Sequence, residues 1–143
     1  MNMDLTVLTN SLKIINKLCD SRTVKVYSLG GMLSLNSMSF LGRSTLQCLE
    51  MFHYDKAFIS CAAISMEYGL MDANEHQAYV RELASNHAKR VYLIADHTKF
   101  NGSSFMQFGK HIKIKGIIVD EPLDEKWQRY FEKKEIALYC GCN

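Results

Sequence analysis

Short runs of β-branched and apolar residues alternate along the chain with amphipathic stretches long enough for helices. The runs predict strands, and the stretches between them carry apolar residues at helical spacing. The predicted strands cover residues 5–9, 23–27, 57–64, 91–95, 114–119 and 136–139. The predicted helices cover residues 12–18, capped by Asn10 or Ser11, and residues 44–52, 74–87 and 123–134.

This alternation indicates the fold class. Strands separated by single helices form right-handed crossovers within a parallel sheet. The run 57–64 is apolar on both alternating faces, which is typical of a central strand covered by helices on both sides. We therefore predict a doubly wound α/β domain of the three-layer, Rossmann-like kind, with a mainly parallel sheet and helices on both faces. No linker, repeat or low-complexity tract divides residues 1–143, so we expect one domain.

Charge and cysteine usage narrow the class of protein. The 17 basic and 15 acidic residues are scattered, without the basic stripe of an autonomous nucleic-acid binder. The five cysteines are irregularly spaced, and the chain begins without an apolar signal region. No apolar run approaches the roughly eighteen residues that a membrane span needs. We expect a cytoplasmic protein with reduced thiols that does not bind DNA by itself.

Polar residues follow the predicted strand 91–95 directly. Ligands of open α/β sheets bind beyond the carboxyl ends of the strands, where Asp96 and Lys99 stand here. The carboxylate can hold a hydroxyl group and the ammonium an anion. The alternative is a solvated turn with an ion pair at its rim.

Gly30 and Gly31 follow the predicted strand 23–27 and precede a stretch rich in serine and asparagine. Glycine lets the backbone approach a ligand closely, and the hydroxyls could bind a phosphate or a sugar. A flexible connection between a strand and a helix explains the same residues. Neither G-x-G-x-x-G nor the P-loop pattern occurs in the chain.

Other chemistry has little support in the sequence. Cys140 and Cys142 have no second Cys or His pair at zinc-site spacing, and the five histidines are scattered. The G-x-S-x-G pattern of a nucleophilic serine is missing as well. We expect no metal, no cofactor and no covalent catalysis.

The order of the short motifs resembles the carboxyl-terminal sensor domain of DeoR-type repressors over nearly the whole chain. These motifs are LTVLTNSL at 5–12, GG at 30–31, SFLG at 39–42, DKAF at 55–58, GLMD at 69–72, DHTKF at 96–100 and SF at 104–105. The resemblance implies a fold related to ribose-5-phosphate isomerase and glucosamine-6-phosphate deaminase. It also implies a cleft that senses a phosphorylated sugar or similar metabolite, and an attached helix-turn-helix that binds the operator.

Carried over residue by residue, the resemblance implies a set of effector-binding positions, in which Lys99 contacts an anionic group of the effector. The set is Asn10, Gly30, Gly31, Gln77, Asp96 and Lys99. Two departures argue against turnover. Ala62 stands where isomerase-like members carry an acidic residue, and Gln77 stands where the family usually has glutamate. An amide can hydrogen-bond but is no general base.

A third departure concerns the start of the domain. The Asp-x-Gly-Thr-Thr loop and the helix-turn-helix of the family have no counterpart before Asp4. We therefore expect either a fragment or the product of a truncated gene, unless the resemblance overstates what the chain binds. An incomplete sheet would leave an exposed edge, which favours a homo-oligomer. Two rival functions stay open. One is a sugar-phosphate isomerase or deaminase using Asp72, Glu75 and Asp96, and the other is an oligomerisation domain with a vestigial cleft.

Overall fold

The computed structural model describes residues 4–141, so Cys142 of the cysteine pair lies outside the described residues. The chain forms two compact units, Met1–Phe52 and His53–Asn143. We call them unit 1 and unit 2.

Unit 1 combines a parallel strand pair with a short hairpin. Its elements are β1 (Leu5–Thr9), α1 (Leu12–Leu18), β2 (Val24–Ser28), β3 (Met32–Ser34), β4 (Ser39–Leu41) and α2 (Arg43–Glu50). Strands β1 and β2 pair in parallel, whereas β3 and β4 pair antiparallel. Helix α1 begins after Ser11, whose side chain accepts a hydrogen bond from the Ile14 amide. This is the usual serine cap, and it confirms one of the two predicted cap positions.

Unit 2 is built on a four-stranded parallel sheet in the order β11-β10-β8-β5, flanked by helices. Unit 2 also contains a separate three-stranded antiparallel sheet in the order β6-β7-β9. The elements are β5 (Tyr54–Ile59), β6 (Ala63–Ser65), β7 (Gly69–Asp72), α3 (Glu75–Asn86), β8 (Ala88–Ile94), a 3₁₀ turn (His97–Lys99), β9 (Met106–Phe108), β10 (Ile114–Val119), α4 (Glu125–Lys133) and β11 (Ala137–Cys140).

Aromatic side chains from α4 contribute one cluster to the core of unit 2. Asp124 caps α4 through the Trp127 amide at 2.9 Å, and one turn later Phe131 stacks against the Trp127 ring at 5.3 Å between centroids. The rings of Phe100 and Trp127 pack in a T-shaped arrangement at 5.1 Å between centroids. The indole nitrogen of Trp127 donates to Asn101 Oδ1 at 3.0 Å, which satisfies its one polar group. This cluster holds the segment after the 3₁₀ turn against α4.

The α/β prediction is confirmed, and β1 and β10 have the predicted bounds. The prediction of one central strand over 57–64 is wrong. Strand β5 ends at Ile59 and lies at an edge of the four-stranded sheet, and β6 begins at Ala63 in the antiparallel sheet. Phe58 is 57% exposed, whereas Ala63 and Ile64 are buried. The run is apolar throughout because two different elements bury parts of it.

The two hairpins and β9 were not predicted. Their strands contain only three or four residues, which is too short for an alternating pattern to stand out. Gly69 begins β7 with φ of +74°, a conformation that favours glycine, so its position marks a hairpin rather than a simple break. None of the helices within residues 4–141 is long and apolar enough to cross a membrane.

Candidate ligand-binding cleft

A cleft of about 560 Å³ lies in unit 2 where three neighbouring parallel strands end. Ser60 and Cys61 line it after β5, Asp96 and Lys99 after β8, and Asp120 after β10. Its size is within the range of small-molecule sites, and a strand-end location is where open α/β sheets bind ligands. The structure therefore brings the predicted pair, Asp96 and Lys99, into one cleft.

Another depression, of about 470 Å³, runs along the outside of α4. It is lined mainly by charged helix side chains such as Glu125 and Arg129, which form an exposed ion pair one helical turn apart. Of the residues that line it, only Met66, directly after β6, lies outside α4, and none follows a strand of the parallel sheet. We therefore place the candidate site at the strand-end cleft.

Asp96 caps the 3₁₀ turn that carries Lys99. Its Oδ1 accepts hydrogen bonds from the Thr98 amide at 3.0 Å and from the Thr98 hydroxyl. The hydroxyl bond lowers the pKa of Asp96, so this carboxyl stays ionised at neutral pH. Oδ2 of Asp96 has no hydrogen-bond partner within residues 4–141, which leaves an acceptor for a ligand.

Asp120 fastens the turn to the end of β10. Its Oδ1 accepts from the His97 amide at 2.7 Å, and its Oδ2 lies 2.9 Å from His97 Nδ1. This side-chain contact raises the pKa of His97 and lowers that of Asp120. The ion pair at the rim thus joins His97 to Asp120 rather than Asp96 to Lys99.

His97, Asp120 and Glu121 also place potential metal-ligand atoms within 4.8 Å of one another. All three residues are exposed, and the contact between His97 and Asp120 accounts for the position of the histidine. Exposed groups of this kind are common without a metal ion, so the cluster by itself does not indicate one.

Lys99 provides the cleft with a cation. It is half-buried, and within the described part of the chain no carboxylate oxygen lies within 4.0 Å of its ammonium group. An ammonium group that no carboxylate contacts is suited to pair with an anion from solution.

The floor of the cleft contains a buried cysteine. Burial raises the pKa of the Cys61 thiol to about 11, although the positive charges of Arg81 and Lys99 oppose the shift. The thiol is therefore neutral at physiological pH, and a thiol rather than a thiolate is a poor nucleophile.

Beneath Ser60 lies an ion pair that the sequence analysis did not find. The guanidinium of Arg81, on α3, pairs with the buried carboxylate of Asp72, on β7. It also donates from Nη2 to Ser60 Oγ at 3.2 Å. Ala78 and Ser85 are buried at positions i−3 and i+4 from Arg81, so helical spacing contained a signal that it faces inward.

Of the predicted residues in unit 1, Asn10 and Gly31 have clear structural roles. The Asn10 amide donates to the Phe40 carbonyl at 3.1 Å, linking the end of β1 to β4. Gly31 has φ of +132°, and a Cβ there would collide with the Thr45 hydroxyl and lie 2.7 Å from the Leu41 carbonyl oxygen. Internal packing is therefore enough to require glycine at this position.

Gly30 and Gln77 complete the predicted set. The Gly30 carbonyl accepts from the Thr45 hydroxyl at 2.5 Å, and a Cβ on Gly30 would meet open space. Gln77 lies in the first turn of α3, where its backbone amide donates a hydrogen bond to the capping Asn74 side chain at 3.2 Å. It is half-buried and does not line the cleft of unit 2.

A strand-end cleft with an ionised carboxylate, an ammonium group and a protonated thiol is typical of an α/β domain that binds a small molecule. Comparison with known families identifies the domain more closely. Residues 1–121 match the family described as the DeoR C terminal sensor domain. The chain belongs to this family.

Relatives of the chain are bacterial transcriptional regulators. The HTH-type transcriptional repressor GlcR of Bacillus subtilis is 35% identical over 95% of this chain and 52% of its own length. The HTH-type transcriptional regulator IolR of the same organism is 28% identical over 95% of this chain and 54% of its own length. The L-fucose operon activator of Haemophilus influenzae is 30% identical over 92% and 53%. The chain spans about half the length of these curated relatives.

Proposed function

We propose that this chain is the effector-sensing domain of a bacterial transcriptional regulator of sugar metabolism. The strand-end cleft of unit 2 binds a phosphorylated sugar or a related metabolite. One observation carries this proposal: Lys99, a half-buried lysine, lines the cleft, and no carboxylate within residues 4–141 forms an ion pair with it. The ionised carboxylate of Asp96 accepts hydrogen bonds from sugar hydroxyls in the same cleft.

The names of the relatives support a sugar-related effector. They include a lactose phosphotransferase system repressor of Staphylococcus aureus and a putative aga operon transcriptional repressor of Escherichia coli O157:H7. In a longer protein of this kind, effector binding changes how a helix-turn-helix fits its operator. Asn10, Gly30, Gly31 and Gln77 stay as predicted effector residues, although internal contacts also explain the choice of Asn10 and Gly31.

The state of the acidic residues supports binding without turnover. Of the three groups that an isomerase or deaminase could use, Asp72 is buried in an ion pair and Glu75 accepts from the Tyr79 hydroxyl at 2.7 Å. Neither lines the cleft. Asp96 lines it, but the hydrogen bonds from Thr98 keep its pKa low, so it is a weak base and is not an acid at neutral pH.

A thermal-shift screen of this chain tests the proposal with hexose, pentose and polyol phosphates beside their unphosphorylated forms. A ligand at one hundred times its dissociation constant stabilises a fold by about 2.7 kcal/mol. We expect a shift with a phosphate ester and none with its neutral sugar. We also expect Lys99→Ala to abolish the shift and Lys110→Ala, at an exposed lysine away from the cleft, to retain it.

Three outcomes would contradict the proposal in different ways. Equal shifts for Lys99→Ala and the parent chain would remove Lys99 from the site. Release of a ketose or of ammonia from a sugar phosphate would favour the enzyme. Assembly of the chain without a response to any compound would favour an oligomerisation domain.

A further inference from the structure

Arg81 connects the interior of unit 2 to the cleft. Its side chain is only 18% exposed, it pairs with Asp72, and it lies over the Phe108 ring at 5.8 Å. Burial lowers the pKa of Arg81, but an arginine stays protonated in proteins. A permanent positive charge therefore sits beneath the strand end that carries Ser60.

The chemistry of the Arg81 guanidinium and the Ser60 hydroxyl decides the direction of the hydrogen bond between them. A guanidinium has donors and no acceptor, so Ser60 Oγ accepts from Arg81 Nη2. The serine hydroxyl has one proton of its own, and that proton cannot point at the guanidinium. Since Ser60 is exposed and lines the cleft, its hydroxyl is left to donate to a ligand there.

We propose that Ser60 donates a hydrogen bond to an oxyanion of the effector, and that Arg81, held by Asp72, is its positioning residue. This inference rests on the proposed function and deepens it. Lys99 supplies the charge, and Ser60 supplies a directed donor that an adjacent cation polarises. The two together favour a group with several acceptor oxygens, such as a phosphate ester, over a neutral hydroxyl.

Inorganic phosphate is a probe that does not require the effector to be known. The dissociation constant of phosphate is measured from the shifts of backbone amide NMR signals as phosphate is added to the parent chain and to each variant. Hydrogen bonds to charged groups contribute enough that Ser60→Ala should weaken phosphate binding about tenfold. Ser60→Thr keeps the hydroxyl and should retain most of the affinity. Ser103→Ala, at an exposed serine away from the cleft, should bind like the parent.

A second comparison tests Arg81 without leaving a buried charge unpaired. The double variant Asp72→Asn/Arg81→Met removes both charges, and we expect it to weaken phosphate binding as much as Ser60→Ala does. Adding Ser60→Ala to that double variant should cause no further loss, because the hydroxyl is no longer directed. A purely structural role for Arg81 predicts additive losses.

The failures can be told apart. If Ser60→Ala binds phosphate like the parent while Lys99→Ala binds it weakly, the role of Ser60 is wrong and the sensor function stands. If phosphate moves no signal of the cleft residues in the parent, the donor assignment is wrong, and the sugar-ester screen judges the sensor function separately. Additive losses in the triple variant would overturn the role of Arg81.

Discussion

The substitution Asp72→Asn would test whether the ion pair beneath the cleft is buried as the structure shows. The amide keeps the shape of the carboxylate, and its oxygen can still accept the hydrogen bond from the Asn74 amide, which is 3.0 Å from Asp72 Oδ1. With that oxygen on the Asn74 amide, the amide nitrogen takes the place of Oδ2 and faces Arg81 Nη1, so both the negative charge and the acceptor for the guanidinium are lost. Arg81, whose side chain is 18% exposed, is then left without its counter-charge.

The expected loss of stability is large. Removing one partner of a buried ion pair costs about 3–5 kcal/mol, and we take the lower end because the Arg81 side chain is not fully buried. A loss of about 3 kcal/mol is a substantial part of the total stability of about 5–15 kcal/mol that is usual for a domain. It corresponds to a fall in the melting temperature of about 10 °C.

Urea unfolding measures this effect directly. Trp127 is the single tryptophan of the chain and is 1% exposed in unit 2, so its fluorescence reports the unfolding of that unit. Lys89→Met breaks the exposed ion pair with Asp55 and should leave the midpoint unchanged. Asp72→Asn/Arg81→Met removes both charges and should recover part of the loss.

The reasoning fails if Asp72→Asn shifts the midpoint no more than Lys89→Met does. Arg81 would then find water or another partner when Asp72 loses its charge. A double variant less stable than Asp72→Asn would also contradict it, because an unpaired buried charge would not be the source of the cost.

Three further predictions concern the turn at the end of β2 and the rim of the cleft. Gly31→Ala should destabilise unit 1 by about 2 kcal/mol, since its φ of +132° is strained for alanine, whereas Gly30→Ala should be nearly neutral. Amide hydrogen exchange in α2 would show the difference, and equal exchange in both variants would refute it. Asp120→Asn should return the raised pKa of His97 toward 6.5 in an NMR titration, and an unchanged pKa would mean that another group raises it. Because the pKa of His97 is raised, its contribution to stability is complete below 6.5 and is lost as the pH rises through the folded value. Because the pKa of Asp120 is lowered, its contribution to stability is present above pH 3.8 and is lost on acidification. The pair should therefore stabilise the fold most between pH 3.8 and pH 6.5.

Local patterns were enough to predict most helices and strands. Helix α3 shows why: Asn74 is a capping residue, and the helical spacing that follows continues to Asn86, where the helix ends. The predicted bounds were 74–87. The same reasoning failed for residues 57–64, because apolarity on both faces does not reveal whether one strand or two elements bury the residues.

The candidate site was predictable where its residues share one turn. Asp96 and Lys99 are three residues apart after one strand, and the rule that polar strand ends gather at one edge located the cleft. The contact between Asp120 and His97 joins residues 23 positions apart. It exists because β10 and β8 are neighbours in the sheet, and strand order is not visible in local spacing.

The sequence by itself therefore determined the alternation of strands and helices, the caps, and the polar groups at the strand ends. Each of these depends on the period or chemistry of a few consecutive residues. Only the tertiary structure decided that Arg81, from a helix, lies under Ser60, and that Asp72 neutralises it. Burial turns this contact into a requirement, because a charge removed from water needs a partner wherever the chain supplies one.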